Sequence, residues 1–363
     1  MLPITRRRFL TLTATAAGSL ALRDLHAAEA GPLPPLTEGM TFFLIGDTHY
    51  LANREQPSEL DAVSRAYTAG LIERLNQLPG SELPASIGGG TLPVPSGLIH
   101  AGDLIDSGNA GDELHRKMIE TELSGWLADF GLNGGEGRLN FPVREVHGNH
   151  DAPGGTGPVI DKIRERNKTR AGLSGVCPNG LHYSWDWGGV HFVNLGIVVG
   201  QVKEVDRPRK YPPLESLDFL TSDLAEKVGN SGRPVVITHH VDVARYCTPI
   251  EDPEAAAKSE WEYADVHAYY EAIKNYRVAA VCYGHTHQRR VFGWDGKPPV
   301  KDGVPGGVTV FNTDNVSHFR MEDQAFFHFQ ITDREVIARE YGTPDGWKNV
   351  AWTPQVWRFP LRA

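Results

Sequence analysis

Short apolar runs alternate along this chain with longer stretches in which apolar residues recur every three or four positions. Thr41–Ile45, Leu98–Ala101, Val143–Val146, Val235–Thr238 and Val278–Tyr283 have the length and bounding residues of strands, and runs with little polar alternation suit strands covered on both faces. Leu181–Trp187 and Val190–Ile197 flank Gly188-Gly189, a hairpin signal. Val308–Phe311, Ala325–Ile331 and Glu335–Tyr341 read as a late antiparallel set. Ser58–Leu78 and Asp112–Phe130 have helical spacing, the first with Ser58 and Asp61 as a cap pair. The pattern predicts an α/β domain with two sheets and covering helices, without internal repeats. Two long segments, Gly80–Ser96 and Val241–Glu260, are polar or rich in Gly and Pro, as functional loops often are.

The first thirty residues break the pattern. Thr5-Arg6-Arg7-Arg8-Phe9-Leu10 precedes a mild apolar stretch that ends at Ala28-Glu29-Ala30. A basic start, a short apolar core and an A-x-A end predict a signal peptide over residues 1–30, and the Arg pair before Phe-Leu resembles the twin-arginine export motif. The expected location is therefore periplasmic or extracellular, in a bacterium, after transient contact with the twin-arginine machinery. Residues 31–40 read as a linker, 41–345 as the folded domain and 346–363 as a tail. No later run is long enough for a transmembrane span.

The net charge is −9, and removal of four Arg and two acidic residues with the signal takes it to −11. An acidic balance argues against a nucleic-acid partner. Cys177, Cys247 and Cys282 are too few for a disulfide scaffold and form no CxxC pair, although one bridge is open to them.

Candidate chemistry follows the strands. Gly46-Asp47-Thr48-His49, Gly102-Asp103-Leu104-Ile105-Asp106, Gly148-Asn149-His150-Asp151, Thr238-His239-His240 and Gly284-His285-Thr286-His287 each trail a predicted strand. That edge of an open α/β sheet is where ligands bind. Asp-x-His and His-x-His put two donors on one side of an extended segment. Mixed carboxylate, imidazole and amide donors suit Mn, Fe or Zn, and there are enough for two such divalent or trivalent cations.

These five clusters, in this order, resemble the signature of the calcineurin-like metallophosphoesterase superfamily: GDxH, GDxxD, GNH[DE], a His after a strand, and GHxH. The resemblance implies a sandwich of two mixed β-sheets flanked by helices. It also implies hydrolysis of a small phosphomonoester or phosphodiester by a metal-bound hydroxide. Carried over, it makes Asp47, His49 and His287 ligands of one metal, Asn149, His239 and His285 ligands of the other, and Asp103 the bridge. His150 becomes the general acid or phosphate binder, with Asp151 orienting it, and Asp106 an outer partner. Tyr takes the place of Asp106 in purple acid phosphatases, so that subgroup is disfavoured, and the motifs are closer to cyclic-nucleotide and glycerophosphodiester hydrolases. His240, Arg245 and Tyr246 are read as substrate contacts. His100, His147, His182, His191, His318 and His328 are read as structural or surface residues, and Arg207, Arg209 and Lys210 as a solvated loop. The alternatives are a non-catalytic binding module of the same fold and a protein phosphatase.

Overall fold

The computed structural model describes residues 33–298 and 307–361; the expected signal peptide lies outside the described residues. Leu36 onward clusters as one unit. Its first sheet contains β1 (Met40–Ile45), β2 (Leu98–His100), β3 (Val143–Glu145), β11 (Gln324–Ile331), β12 (Glu335–Thr343) and β13 (Ala351–Pro360), in the order 13-12-11-1-2-3. The second contains β4 (Leu173–Val176), β5 (Tyr183–Trp187), β6 (Val190–Asn194), β7 (Val235–Thr238), β8 (Val278–Tyr283), β9 (Arg290–Trp294) and β10 (Val308–Asn312), in the order 4-5-6-7-8-10-9. β1, β2 and β3 are parallel, as are β6, β7, β8 and β10, while the outer strands are antiparallel. Both sheets are therefore mixed.

Strand alternation sorts side chains into layers. Phe42 and Leu44 of β1 point between the sheets, against Phe192, Phe311 and Phe329. Phe43 and Ile45 point outward to a core shared with α1 (Ala62–Gln77) and α2 (Glu113–Asp129). On the second sheet Val235, Ile237 and Val281 pack outward against Leu220 of α4 (Ser216–Asp223) and Val266 of α6 (Tyr263–Ile273). Two further helices among the described residues are α3 (Pro158–Thr169) and the short α5 (Pro253–Ala257). Helices cover both outer faces, giving a four-layer sandwich.

Local chemistry sets the boundaries. The Asp61 carboxylate accepts from the N–H groups of Val63 and Ser64, and that of Asp112 from His115, so each caps a helix start. The first helix accordingly begins after Asp61 rather than at Ser58. The segment 346–363, read as a tail, contains β13, which pairs with β12 as the edge of the first sheet. Its alternation is weak because most of its side chains are not fully buried. The stretch 31–40, read as a linker, buries Leu36 and gives Met40 to β1. Gly80–Ser96 buries Leu83, Ile87 and Leu92 in the core on the outer face of the first sheet. All three cysteines are buried free thiols. Among the described residues no helix is long and apolar enough to cross a membrane.

Candidate metal centre

The parallel strands of both sheets end at one seam, and the five motif loops meet there. The N–H of Asp47 donates to the carbonyl of Gly102 at 2.9 Å and that of His49 to the carbonyl of Asp103 at 3.1 Å, so the first two loops are bonded together. The crowding explains two of the glycines. A Cβ on Gly148 would lie 2.2 Å from Asp103 Oδ1, and one on Gly284 would lie 2.3 Å from Asp47 Oδ2. Asp47, His49, Asp103, His285 and His287 all have left-handed backbones, with φ between 44 and 69°. Such residues cost about 1–3 kcal/mol each and gather at functional sites.

Donor atoms converge on two points. At the first, His49 Nε2 lies 3.1 Å from His287 Nε2, 4.0 Å from Asp47 Oδ1 and 3.6 Å from Asp103 Oδ2. At the second, the Asn149 amide oxygen is 3.1 Å from His240 Nε2 and 2.7 Å from His285 Nδ1, and Asp103 Oδ2 is 3.2 Å from His240 Nε2. Inward-facing lone pairs repel one another unless protons or cations lie between them. The donor set is one that takes Mn, Fe or Zn, so these residues fit two such cations. One oxygen, Asp103 Oδ2, serves both groups.

Electrostatics agree. Burial alone would raise the Asp103 carboxyl, but the His240 imidazole outweighs it and holds the group well below the usual carboxylate range. Burial would likewise raise Asp47, and the hydrogen bond to His287 brings it below its ordinary value. In return His240, which burial would depress, is lifted to about 9 by Asp103. In the cation-free chain, imidazolium protons balance the buried carboxylates.

The structure corrects the choice between the adjacent histidines. His239 continues the outward phase of Val235 and Ile237, and its ring sits among Trp261, Tyr269 and Tyr283 with both nitrogens unpartnered. Burial pushes it down to about 3. His240 continues the phase of Val236, which faces between the sheets, and so reaches the seam. Its Nδ1 is held by the carbonyl of Ala101 at 2.8 Å, leaving Nε2 for the cluster. His240 is therefore part of the donor set rather than a separate substrate contact, and His239 is core. Strand alternation carried that signal, because the site lies between the sheets.

Asp151 is also placed differently from expectation. Its carboxylate accepts from the N–H groups of Ile105 at 2.9 Å and Gly148 at 2.7 Å, bracing two loops rather than the neighbouring imidazole. Burial, with Asp103 nearby, pushes this carboxyl up to about 7. His150 instead places Nδ1 3.0 Å from the carbonyl of Asp106 and 3.5 Å from its carboxylate. The same carboxylate meets His49 Nδ1 at 3.0 Å, so Asp106 orients two imidazoles.

Two further residues join the site without any motif to announce them. Glu260 Oε2 lies 3.1 Å from His285 Nε2, the outer nitrogen of a donor imidazole. It also accepts from Tyr246 at 2.7 Å and pairs with Arg245 at 3.3 Å, while Oε1 takes Lys210 at 3.0 Å and Tyr211 at 3.2 Å. Arg245 and Tyr246 thus reach the site through Glu260. Arg207 and Arg209, read as solvated, are paired with Glu262 and Asp265. The other residue is His318, whose ring centre lies 4.7 Å from those of both His49 and His287. Of the histidines read as structural, His100 bonds Thr48 Oγ1 at 2.9 Å, and His147 is buried with neither nitrogen partnered.

The family model of calcineurin-like phosphoesterases matches residues 40–289, and the chain belongs to that family. Solved structures similar to it include a dimetal phosphatase from Danio rerio (14% identity, 87% of this chain and 98% of that one, TM-score 0.47). Others are GAP50, the anchor in the inner membrane complex of Plasmodium (11%, 90% and 90%, 0.45), and zinc-complexed Vps29 from Entamoeba histolytica (13%, 88% and 99%, 0.33). No curated protein matches the sequence.

Proposed function

We propose that this chain is an exported, dinuclear metal-dependent phosphoesterase acting on the P–O bond of a small phosphoester. The observation that carries this reading is the position of Asp103 Oδ2, 3.6 Å from His49 Nε2 on one side and 3.2 Å from His240 Nε2 on the other. Asp47, His49 and His287 would hold one cation, Asn149, His240 and His285 the other, and Asp103 both. Two such cations, when bound, neutralise charge on the phosphoryl group and activate water for in-line attack.

The chain's own residues supply orientation and proton transfer. Asp106 fixes the ring of His49 from outside, and Glu260 does the same for His285, in carboxylate–imidazole arrangements that set the tautomer. His150 holds its Nδ1 proton against the Asp106 carbonyl at 3.0 Å, with the Asp106 carboxylate 3.5 Å from the same nitrogen. Nε2 can then give a proton to the leaving oxygen. General acid loss costs about 10²–10⁴-fold in rate, so His150→Ala should slow an alkyl ester far more than a p-nitrophenyl ester. Export rests on the Arg6-Arg7-Arg8-Phe9-Leu10 segment and the Ala28-Glu29-Ala30 end.

The test is metal content by mass spectrometry with turnover of bis-p-nitrophenyl phosphate and p-nitrophenyl phosphate. Wild type should hold two cations and hydrolyse at least one ester. Asp103→Asn should lose both metal occupancy and nearly all turnover. Retention of wild-type rates in that variant refutes the bridge. The ratio of kcat/KM for the two esters assigns diester or monoester chemistry.

A further inference from the structure

His318 sits in the loop between β10 and β11, outside every motif, yet a ring nitrogen of His318 lies within 4.8 Å of nitrogens of His49 and His287. The loop is pinned in place. Ser317 Oγ donates to the carbonyl of Thr48 at 2.8 Å, inside the first motif, and Trp347 Nε1 donates to the carbonyl of Val316 at 2.6 Å. Val316 and Ser317 are fully buried. The N–H of Met321 closes a turn onto the His318 carbonyl at 3.0 Å. His318 is thus presented to the centre by a braced element, not by a free surface chain.

Its tautomer is readable. The backbone N–H of Arg320 donates to His318 Nδ1 at 3.2 Å. A nitrogen that accepts carries no proton, so the neutral ring bears its hydrogen on Nε2. A metal ligand needs a lone pair at the coordinating nitrogen. Nε2–H has none, and Nδ1 is already engaged. His49 and His287 differ, because their Nε2 atoms face each other at the first convergence point. Resting on the dinuclear reading above, we propose that His318 is a substrate-contacting residue whose Nε2–H binds a phosphoryl oxygen at the first cation site, and that it is not a ligand of the cation.

The test uses Mn-loaded mature wild type, His318→Ala and His318→Gln, with inorganic phosphate as probe. Metal content is read by mass spectrometry and phosphate affinity by calorimetry. A hydrogen bond to a charged acceptor is worth a loss of about 10–100-fold when removed. His318→Ala should keep both cations and bind phosphate that much more weakly, with kcat/KM falling in parallel. His318→Gln, which can offer an amide N–H, should recover part of the affinity. Cation loss in the Ala variant overturns the proposal in favour of a ligand. Unchanged phosphate affinity overturns it as well. If Mn-loaded wild type binds no phosphate, the dinuclear reading fails and this inference falls with it.

Discussion

Replacing each of the two adjacent histidines tests the layer assignment directly. His239→Leu removes a ring whose two nitrogens have no partner and which packs on three aromatic residues. Lost aromatic contacts cost about 0.5–1.5 kcal/mol each, and relief of unpaired buried nitrogens returns about 1–3 kcal/mol each, so the two nearly offset at pH 8. Acid separates them. The folded ring stays neutral down to about pH 3, whereas an unfolded histidine protonates near 6.5. Below 6.5 the unfolded chain takes up a proton that the folded chain refuses. Stability then falls by about 1.4 kcal/mol per pH unit from this group alone. At pH 5 the Leu variant should therefore exceed wild type by about 2 kcal/mol more than it does at pH 8. Urea unfolding at both pH values, followed by Trp fluorescence, reads this difference. Metal content and kcat/KM should stay within about twofold of wild type, the group being outside the donor set. His240→Ala should instead lose the second cation and most turnover at any pH. Loss of metal in His239→Leu with retention in His240→Ala would refute the assignment.

Three other outcomes follow from the same geometry. Glu260→Gln removes the carboxylate behind His285 and should weaken cation binding at the second site about 10–100-fold, measured by metal titration, with the first site little changed. In the cation-free protein Asp103 overrides burial and keeps His240 protonated up to about pH 9. Cation uptake must then expel that proton, so affinity should rise about tenfold per pH unit from pH 7 to 9 and level off above; calorimetry in buffers of different ionisation enthalpy counts the proton. Gly284→Ala places a Cβ 2.3 Å from Asp47 Oδ2, and it should cost about 1–3 kcal/mol and empty the first site before the second, whereas Gly111→Ala, with open space around it, should do neither.

The strands that carry the motifs were legible because they are buried on both faces. Thr41–Ile45, Val235–Thr238 and Val278–Tyr283 differ from the observed strands by at most one residue. What was missed has a physical signature of its own. α6 buries Asp265 beside Val266 and Tyr269, and that acid, paired with Arg209, blurs the amphipathic pattern. β13 is an edge strand with one partner, so its exposed residues mask its period. Glu260 and His318 could not be read at all. Each is one polar residue in a loop, and only the fold brings it to the motifs.

The seam between the sheets unites the local oddities of the centre. Ligands approached from two sheets must be reached by chains that turn back at once on leaving a strand. That turn forces Asp47, His49, Asp103, His285 and His287 into left-handed backbones. The same tight return brings Gly284, after a strand of the second sheet, against the Asp47 carboxylate, after a strand of the first. It also decides which histidine of the pair is used, since only the phase of Val236 opens toward the other sheet. Backbone strain, the glycine requirement and the selection of His240 over His239 are therefore consequences of one placement.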